Sequence, residues 1–186
     1  MQGRLYIIAG CSGVGKGTLL NKFLENNKNV KLSISYTTRK PRAGEENGVN
    51  YFFVSEEEFK KSIENDEFLE WAKFSDNYYG TGQSFVEKSL AKCIDLILEI
   101  EIQGAFQVKE KIKDAVLIFI LPPSWEVLEQ RLRGRNTEDE DTIQIRLNVA
   151  CDEVKASERF DYKVINDNID TAIANLEEIF AKERNK

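Results

Sequence analysis

The sequence predicts an α/β fold, a three-layer α/β/α arrangement around a central parallel sheet. Three observations carry that reading. Short apolar runs at residues 4–9, 94–100 and 115–121 have the length and composition of strands covered on both faces. Stretches with apolar residues at helical spacing separate them. The chain has 186 residues, 41% apolar and 31% charged, enough for one domain with small inserted lobes.

Taken in order, Arg4 to Ala9 reads as a buried strand running straight into glycines. A helix starts near Lys16, with Leu19, Leu20, Phe23 and Leu24 on one face through Asn26. Val30, Leu32, Ile34 and Tyr36 alternate with polar residues as one strand. Residues 37–50 are polar and carry Pro41, Gly44 and Gly48, a loop. Tyr51 to Val54 is a short strand, and Ser55 with Glu58 forms a capping box opening a helix through about Ile63. Phe68 to Phe74 and Asn77 to Tyr79 are further strands, followed by a helix through about Cys93, so residues 34–84 form a β-rich insertion. Ile94 to Ile100 and Ala115 to Leu121 are central strands, the second stopped by Pro122 and Pro123. Ser124 caps a helix through about Leu132. Residues 134–141 are charged and turn-like, and a helix follows to about Ser157. Tyr162 to Ile165 is a last strand, and Ile169, Ala172, Ile173, Leu176, Ile179 and Phe180 form a closing helical stripe, a core face.

Charge and composition narrow the function. Lys and Arg number 26 against 32 Asp and Glu, a net charge of −6, which argues against general nucleic-acid binding. There is no histidine, which excludes Ser–His and Cys–His nucleophiles, a histidine general base and His-ligated zinc. Cys11, Cys93 and Cys151 are odd in number and widely spaced, fitting neither a disulfide framework nor a metal knuckle; a reducing, cytoplasmic setting is expected. No apolar run approaches the roughly 20 residues of a membrane span. Ile7-Ile8-Ala9-Gly10-Cys11 has the look of a lipoprotein cleavage box, but the apolar stretch before it is too short for an export signal.

The strongest motif is Gly10-Cys11-Ser12-Gly13-Val14-Gly15-Lys16-Gly17-Thr18, set between a predicted strand and a predicted helix. Glycines let the backbone wrap a phosphate so that several N–H groups point inward. The helix end adds partial positive charge, Lys16 a full charge for the β and γ phosphates, and Thr18 a hydroxyl. Gly17 stands where a magnesium-ligating Ser or Thr usually follows the lysine; the hydroxyl comes one place later, so magnesium is expected mainly on phosphate oxygens and water. Glu99 ends an apolar strand at the edge that faces the ligand crevice in such sheets, and Glu101 lies on the same side. A thiol at Cys11, near a helix amino end, is a candidate for acidification.

Two basic clusters stand out in this acidic chain: Arg39, Lys40 and Arg42 in a turn-rich loop, and Arg131, Arg133 and Arg135 around Gly134, with Arg146 in the next helix. Arginine forks bind phosphate oxygens bidentately. Beside a phosphate cradle, such clusters fit phosphoryl transfer, which needs positioning and charge neutralisation more than covalent chemistry and so needs no histidine.

These residues resemble the guanylate kinases, nucleoside monophosphate kinases of the P-loop class. The match runs through Thr37-Thr38-Arg39, Arg42, Glu45, Gly48, Tyr51, Phe53, Glu70, Tyr79-Gly80-Thr81, Gln103-Gly104, the Arg131 to Arg135 segment, Arg146 and Asn166-Asp167, essentially the whole chain. The resemblance implies transfer of the ATP γ-phosphoryl group to GMP, giving ADP and GDP, with Mg²⁺. It implies a core over about 1–33, 85–124 and 156–186, a GMP-binding lobe near 34–84 and a helical lid near 125–155. It places the GMP phosphate on Ser35, Arg39, Arg42, Tyr51 and Tyr79, and the guanine on Glu70 and Thr81, with Glu101 assisting. ATP falls to the residues from Gly10 to Thr18, to Arg131, Arg135 and Arg146 over its phosphates, and to Asn166 and Asp167 near the adenosine. Lys16, Arg42, Arg135 and Arg146 share the transition-state charge, and Thr18 and Glu99 are the metal candidates. The chemistry agrees: Glu70 can accept from both N1–H and N2–H of guanine, a donor pair adenine lacks, and Thr81 can donate to O6.

Cys11 stands where the family usually has proline, Glu99 where it often has Asp and Glu101 where it nearly always does, each one methylene longer. Two rival readings remain: a non-catalytic interaction module on the same fold, disfavoured by the intact Lys16 and glycines, and a kinase for a ribosyl phosphate, which would not need Glu70. The sequence leaves the oligomeric state open. Arg135→Ala is expected to lower kcat by about 10³-fold while leaving the thermal midpoint nearly unchanged, checked by steady-state kinetics beside a melting curve.

Overall fold

The computed structural model describes residues 3–74, 76–134 and 140–186. A five-stranded parallel sheet has the order β2-β7-β1-β8-β9. Its strands are β1 (Leu5–Gly10), β2 (Val30–Leu32), β7 (Asp95–Glu99), β8 (Val116–Leu121) and β9 (Tyr162–Ile165). A mixed sheet, order β4-β3-β6-β5, joins β3 (Tyr36–Thr37), β4 (Phe52–Phe53), β5 (Phe68–Phe74) and β6 (Asn77–Gly82). The helices are α1 (Lys16–Asn26), α2 (Glu56–Glu64), α3 (Gln83–Ala91), α4 (Ile102–Lys111), α5 (Trp125–Arg133), α6 (Glu140–Ala156) and α7 (Ile169–Arg184). This is the α/β class that the sequence predicts. No helix among the described residues is long and apolar enough to cross a membrane.

Two compact units make up the chain: Met1–Ile7 with Asn29–Val116, and Ile8–Lys28 with Leu117–Lys186. In the first, α2 begins at the predicted capping box, in which the Ser55 hydroxyl accepts from the Glu58 N–H and the Glu58 carboxylate accepts from the Ser55 N–H. That box directs Phe59 into an aromatic cluster, its ring 4.4 Å from Phe68 and 5.4 Å from Tyr78. In the second, α1 buries Leu19, Leu20 and Phe23, and α7 buries Ala172, Leu176 and Phe180. The Phe23 and Phe180 rings meet at 4.9 Å. Ser124 caps α5, accepting from the Val127 N–H, and Asn168 caps α7, accepting from Asp170 and Thr171.

The structure departs from the pattern in three places. The alternation over Val30 to Tyr36 is two strands and not one. β2 pairs with β7, the Ser33 N–H donates to the Ile97 carbonyl, and the chain then leaves for the other sheet, where Tyr36 and Thr37 pair with β4 and β6. Alternation reports a half-buried extended chain, not which sheet it joins. β6 runs on to Gly82, because Gly80, Thr81 and Gly82 keep pairing with β5. Helix α3 stops at Ala91 rather than near Cys93, which takes a left-handed φ of 61°.

Candidate active site

The loop after β1 builds the cradle. Gly13 and Gly15 have φ of 87° and 92°, values that side chains with a Cβ rarely adopt, and Gly15 is the N-cap of α1. The Val14 N–H donates to the Cys11 carbonyl at 3.2 Å, closing the turn. Two groups hold the Val14 carbonyl: the Asn166 side-chain amide at 2.8 Å and Arg131 Nη1 at 3.2 Å. Arg131 Nη2 also reaches the Asn166 carbonyl at 3.2 Å. Lys16 Nζ donates to the Gly10 carbonyl, and Arg146 Nη1 to Ser12 Oγ at 2.8 Å. The structure thus brings Gly10 to Lys16 together with Arg131, Arg146 and Asn166 in one unit. Gly17 and Thr18 are exposed in the first turn of α1, and Asp167 is exposed between β9 and α7. Arg135 lies outside the described residues. Arg133, the middle member of that cluster, is engaged by Glu129 and Glu140 on the surface. Glu140 is correspondingly held down to about 2, chiefly by that hydrogen bond.

Cys11 does not behave as a helix-end thiol. It is fully buried, with Sγ 3.7 Å from the Ala150 carbonyl, and burial pushes its pKa up to about 12. Exclusion of water outweighs the favourable charge of Lys16, so the expectation of an acidified thiol is overturned.

The other unit holds a second basic centre. Arg39 is gripped by Glu45 through Nη1 and Nη2, both at 2.9 Å, and Glu45 Oε2 also accepts from the Arg42 N–H at 2.8 Å. The pair holds Glu45 below the usual carboxylate range and raises Arg39. The guanidinium lies 5.4 Å from the Tyr51 ring and 5.8 Å from that of Phe53, and Tyr51 meets Tyr79 edge-on at 6.2 Å. Burial, then the charge of Glu99, raises the Tyr51 phenol, which keeps its proton as a donor. Arg39, Tyr51 and Tyr79 therefore gather, whereas the Arg42 side chain is exposed. Ser35 is half-buried between β2 and β3, and its carbonyl accepts from the Phe52 N–H at 2.9 Å. The role of Glu45 was missed in the sequence, where only its place in the signature pattern marks it; its sole local signal is a carboxylate six residues after Arg39.

Glu70 is 4% exposed on β5, and Thr81, opposite it on β6, is fully buried. The Thr81 hydroxyl donates to Glu70 Oε1 at 2.6 Å, so its proton is directed at the carboxylate. Burial raises the Glu70 carboxyl to about 7; Thr81 and Lys111 pull it down and Glu101 pushes it up. Glu101 is the exposed N-cap of α4, and Glu99 is half-buried at the end of β7.

Comparison with known proteins supplies kinship. A family model described as guanylate kinase matches residues 2–183. The chain is 52% identical over 183 residues to a guanylate kinase of Caldanaerobacter subterraneus subsp. tengcongensis, covering 98% of this chain and 89% of that protein. It is 51% identical over 184 residues to one of Hydrogenovibrio crunogenus, covering 99% and 90%. A crystal structure of guanylate kinase from Anaplasma phagocytophilum superposes with a TM-score of 0.82 at 33% identity, covering 100% of this chain and 88% of that one.

The thiols give a test of the cradle's packing. Cys93 and Cys151 are exposed and Cys11 is buried. Titration with a disulfide reagent at pH 8 is expected to label the first two within minutes and Cys11 only after denaturant is added.

Proposed function

The chain belongs to the guanylate kinase family, and from that membership we propose how its own residues carry the transfer of the ATP γ-phosphoryl group to GMP. The observation that supports the reading most directly is Glu70: a buried carboxylate hydrogen-bonded to Thr81, a costly arrangement unless a ligand with paired donors uses it. Guanine offers such a pair in N1–H and N2–H; adenine, cytosine and uracil do not.

GMP is assigned to the first unit. Its phosphate goes to Ser35, Arg39, Arg42, Tyr51 and Tyr79, with Arg39 oriented by Glu45 and Tyr51 donating its proton. Its base goes to Glu70, with Glu101 beside it; the Thr81 hydroxyl, expected to donate to O6, gives its one proton to the Glu70 carboxylate and so acts through it. ATP is assigned to the second unit. The amides of the cradle and Lys16 take its phosphates, a step in which Lys16 gives up the Gly10 carbonyl. Arg131 and Arg146 lie against the cradle already, and we assign them, with Arg135, to the charge that develops during transfer. Asn166 and Asp167 take the adenosine end. The lobe over 34–84 and the lid over 125–155 serve to keep water from the moving group.

Mg²⁺ fits the chemistry of the available donors. The Thr18 hydroxyl and the Glu99 carboxylate are hard oxygen donors of the kind it takes. Among the described residues no cluster of three or more acidic or thiol side chains gathers, so phosphate oxygens and water would complete its shell. The cation would supply neutralisation of phosphate charge.

ADP production from Mg-ATP, with GMP, AMP, UMP and CMP offered separately, tests the assignment. GMP is expected to be the preferred acceptor, and Glu70→Gln to raise KM for GMP by at least about tenfold, the scale set by a lost charge-assisted hydrogen bond, with KM for ATP unchanged. Equal losses for all acceptors would overturn the role of Glu70. Acid should act through the same residue. A carboxyl near 7 is ionised above neutrality and protonated below it, and only the ionised form accepts both guanine donors. KM for GMP is therefore expected to rise as pH falls from 8 to 6, to about tenfold one unit below the pKa, and the Glu70→Gln profile to lack this component.

A further inference from the structure

Helix α4 does more than cover a sheet. β5 is an edge strand of the mixed sheet, so among the described residues its outward backbone groups have no strand partner. At Trp71 a side chain fills that place. Gln107 Oε1 accepts from the Trp71 N–H at 3.2 Å, and Gln107 Nε2 donates to the Trp71 carbonyl at 3.0 Å. A side-chain amide has the same donor and acceptor as a peptide, and here it stands in for one residue of a neighbouring strand. The pairing also fixes which way the amide lies, since the reverse orientation would face donor to donor.

One turn further along α4, Lys111 Nζ donates to the Phe68 carbonyl at 3.2 Å. Between these two contacts β5 carries a bulge: Phe68 pairs with Gly82 and Glu70 with Thr81, leaving Leu69 as an extra residue. The bulge lets Phe68, Leu69 and Glu70 be buried in succession, at 4%, 3% and 4% exposure, where a regular strand would turn every second side chain outward. The same helix face makes room for the carboxylate, because a Cβ on Gly104 would overlap Glu70 Oε2.

The geometry points to Gln107 as a positioning residue for the base reader and hence a determinant of base selectivity, an inference that rests on the guanine-reading role proposed for Glu70. The peptide plane whose Trp71 N–H donates to Gln107 Oε1 is the one immediately after the Glu70 Cα, and the Trp71 carbonyl that accepts from Gln107 Nε2 belongs to the next. Holding the first of these planes fixes the ψ of Glu70, while Lys111 fixes the plane on the other side of the bulge. The carboxylate is thereby aimed from a backbone that cannot rock about the bulge, and two hydrogen bonds to a base demand more angular precision than one. Gln107 touches neither nucleotide in this scheme; it acts through the Trp71 backbone.

IMP separates aim from general damage, because its base keeps N1–H and lacks the exocyclic amine that Glu70 accepts from in GMP. The full-length protein is assayed with GMP and with IMP, as wild type, Gln107→Leu, Gln107→Asn and Glu70→Gln, with thermal unfolding of each. Wild type is expected to prefer GMP, and Glu70→Gln to lose that preference. Gln107→Leu keeps the bulk and removes both hydrogen bonds; it is expected to shrink the GMP-to-IMP ratio of kcat/KM by about tenfold, through KM, with kcat at saturating GMP and KM for ATP unchanged. Gln107→Asn, too short to span both groups, is expected to move the same way and serves should the leucine variant fail to fold. A ratio equal to that of wild type in the folded variants, or equal losses with GMP and IMP, would overturn the inference. Wild type without GMP preference would instead overturn the reading of Glu70.

Discussion

A carboxyl group shut away from water resists ionisation unless its neighbours compensate, and the mixed-sheet unit is arranged around one such group. Glu70 is compensated by the Thr81 hydroxyl and backbone N–H and by the charge of Lys111, and opposed by Glu101. The bulge in β5 directs it inward and a glycine in α4 leaves it space. The balance sets the carboxyl near neutrality rather than fully charged. A carboxyl poised in this way gains most when a ligand brings two donors, because the ligand's hydrogen bonds then supply the compensation that water no longer can.

In the cradle unit, the loop between β1 and α1 is held by side chains from far along the chain. The Val14 carbonyl is fixed by Asn166 and Arg131, and Ser12 is tied to Arg146. Preorganisation of this kind spares the ordering that a flexible loop would undergo on binding. Arg131, Arg146 and Asn166, proposed above for ATP, thus also brace the loop proposed to bind with them. The basic centre around Arg39 follows the same rule: a bidentate carboxylate at Glu45 and two aromatic faces fix the fork.

Much of this was legible in the chain. The strand at 116–121 shows as an unbroken apolar run, that at 95–99 as Leu96-Ile97-Leu98 between two carboxylates, the cradle as glycines between strand and helix, and the α2 start as Ser55 with Glu58. These are local signals, set by neighbours within one or two turns. What escaped depends on partners far along the chain. Nothing near Tyr36 reveals that it belongs to a different sheet from Val30, because both fit an alternating pattern. Gln107 lies 36 residues from the backbone it holds, and a lone glutamine on a helix carries no periodic signature. Cys11 shows how a sound local rule fails: the helix end favours a thiolate, but burial acts on the same group and is the larger effect. Glu70 was visible by resemblance alone; the bulge that aims it leaves no local mark beyond three inward residues in a row.

The way α4 meets β5 also bears on how copies of the chain behave when crowded together. An uncovered sheet margin invites strand addition from another chain, the first step toward ordered aggregates. Here that margin is interrupted at Trp71 by an amide from its own helix and at Phe68 by a lysine, the residue type most often set on such margins as a deterrent. An incoming strand would have to displace both before it could register, so the contacts that steady the interior also keep the outer rail of the sheet from becoming a template.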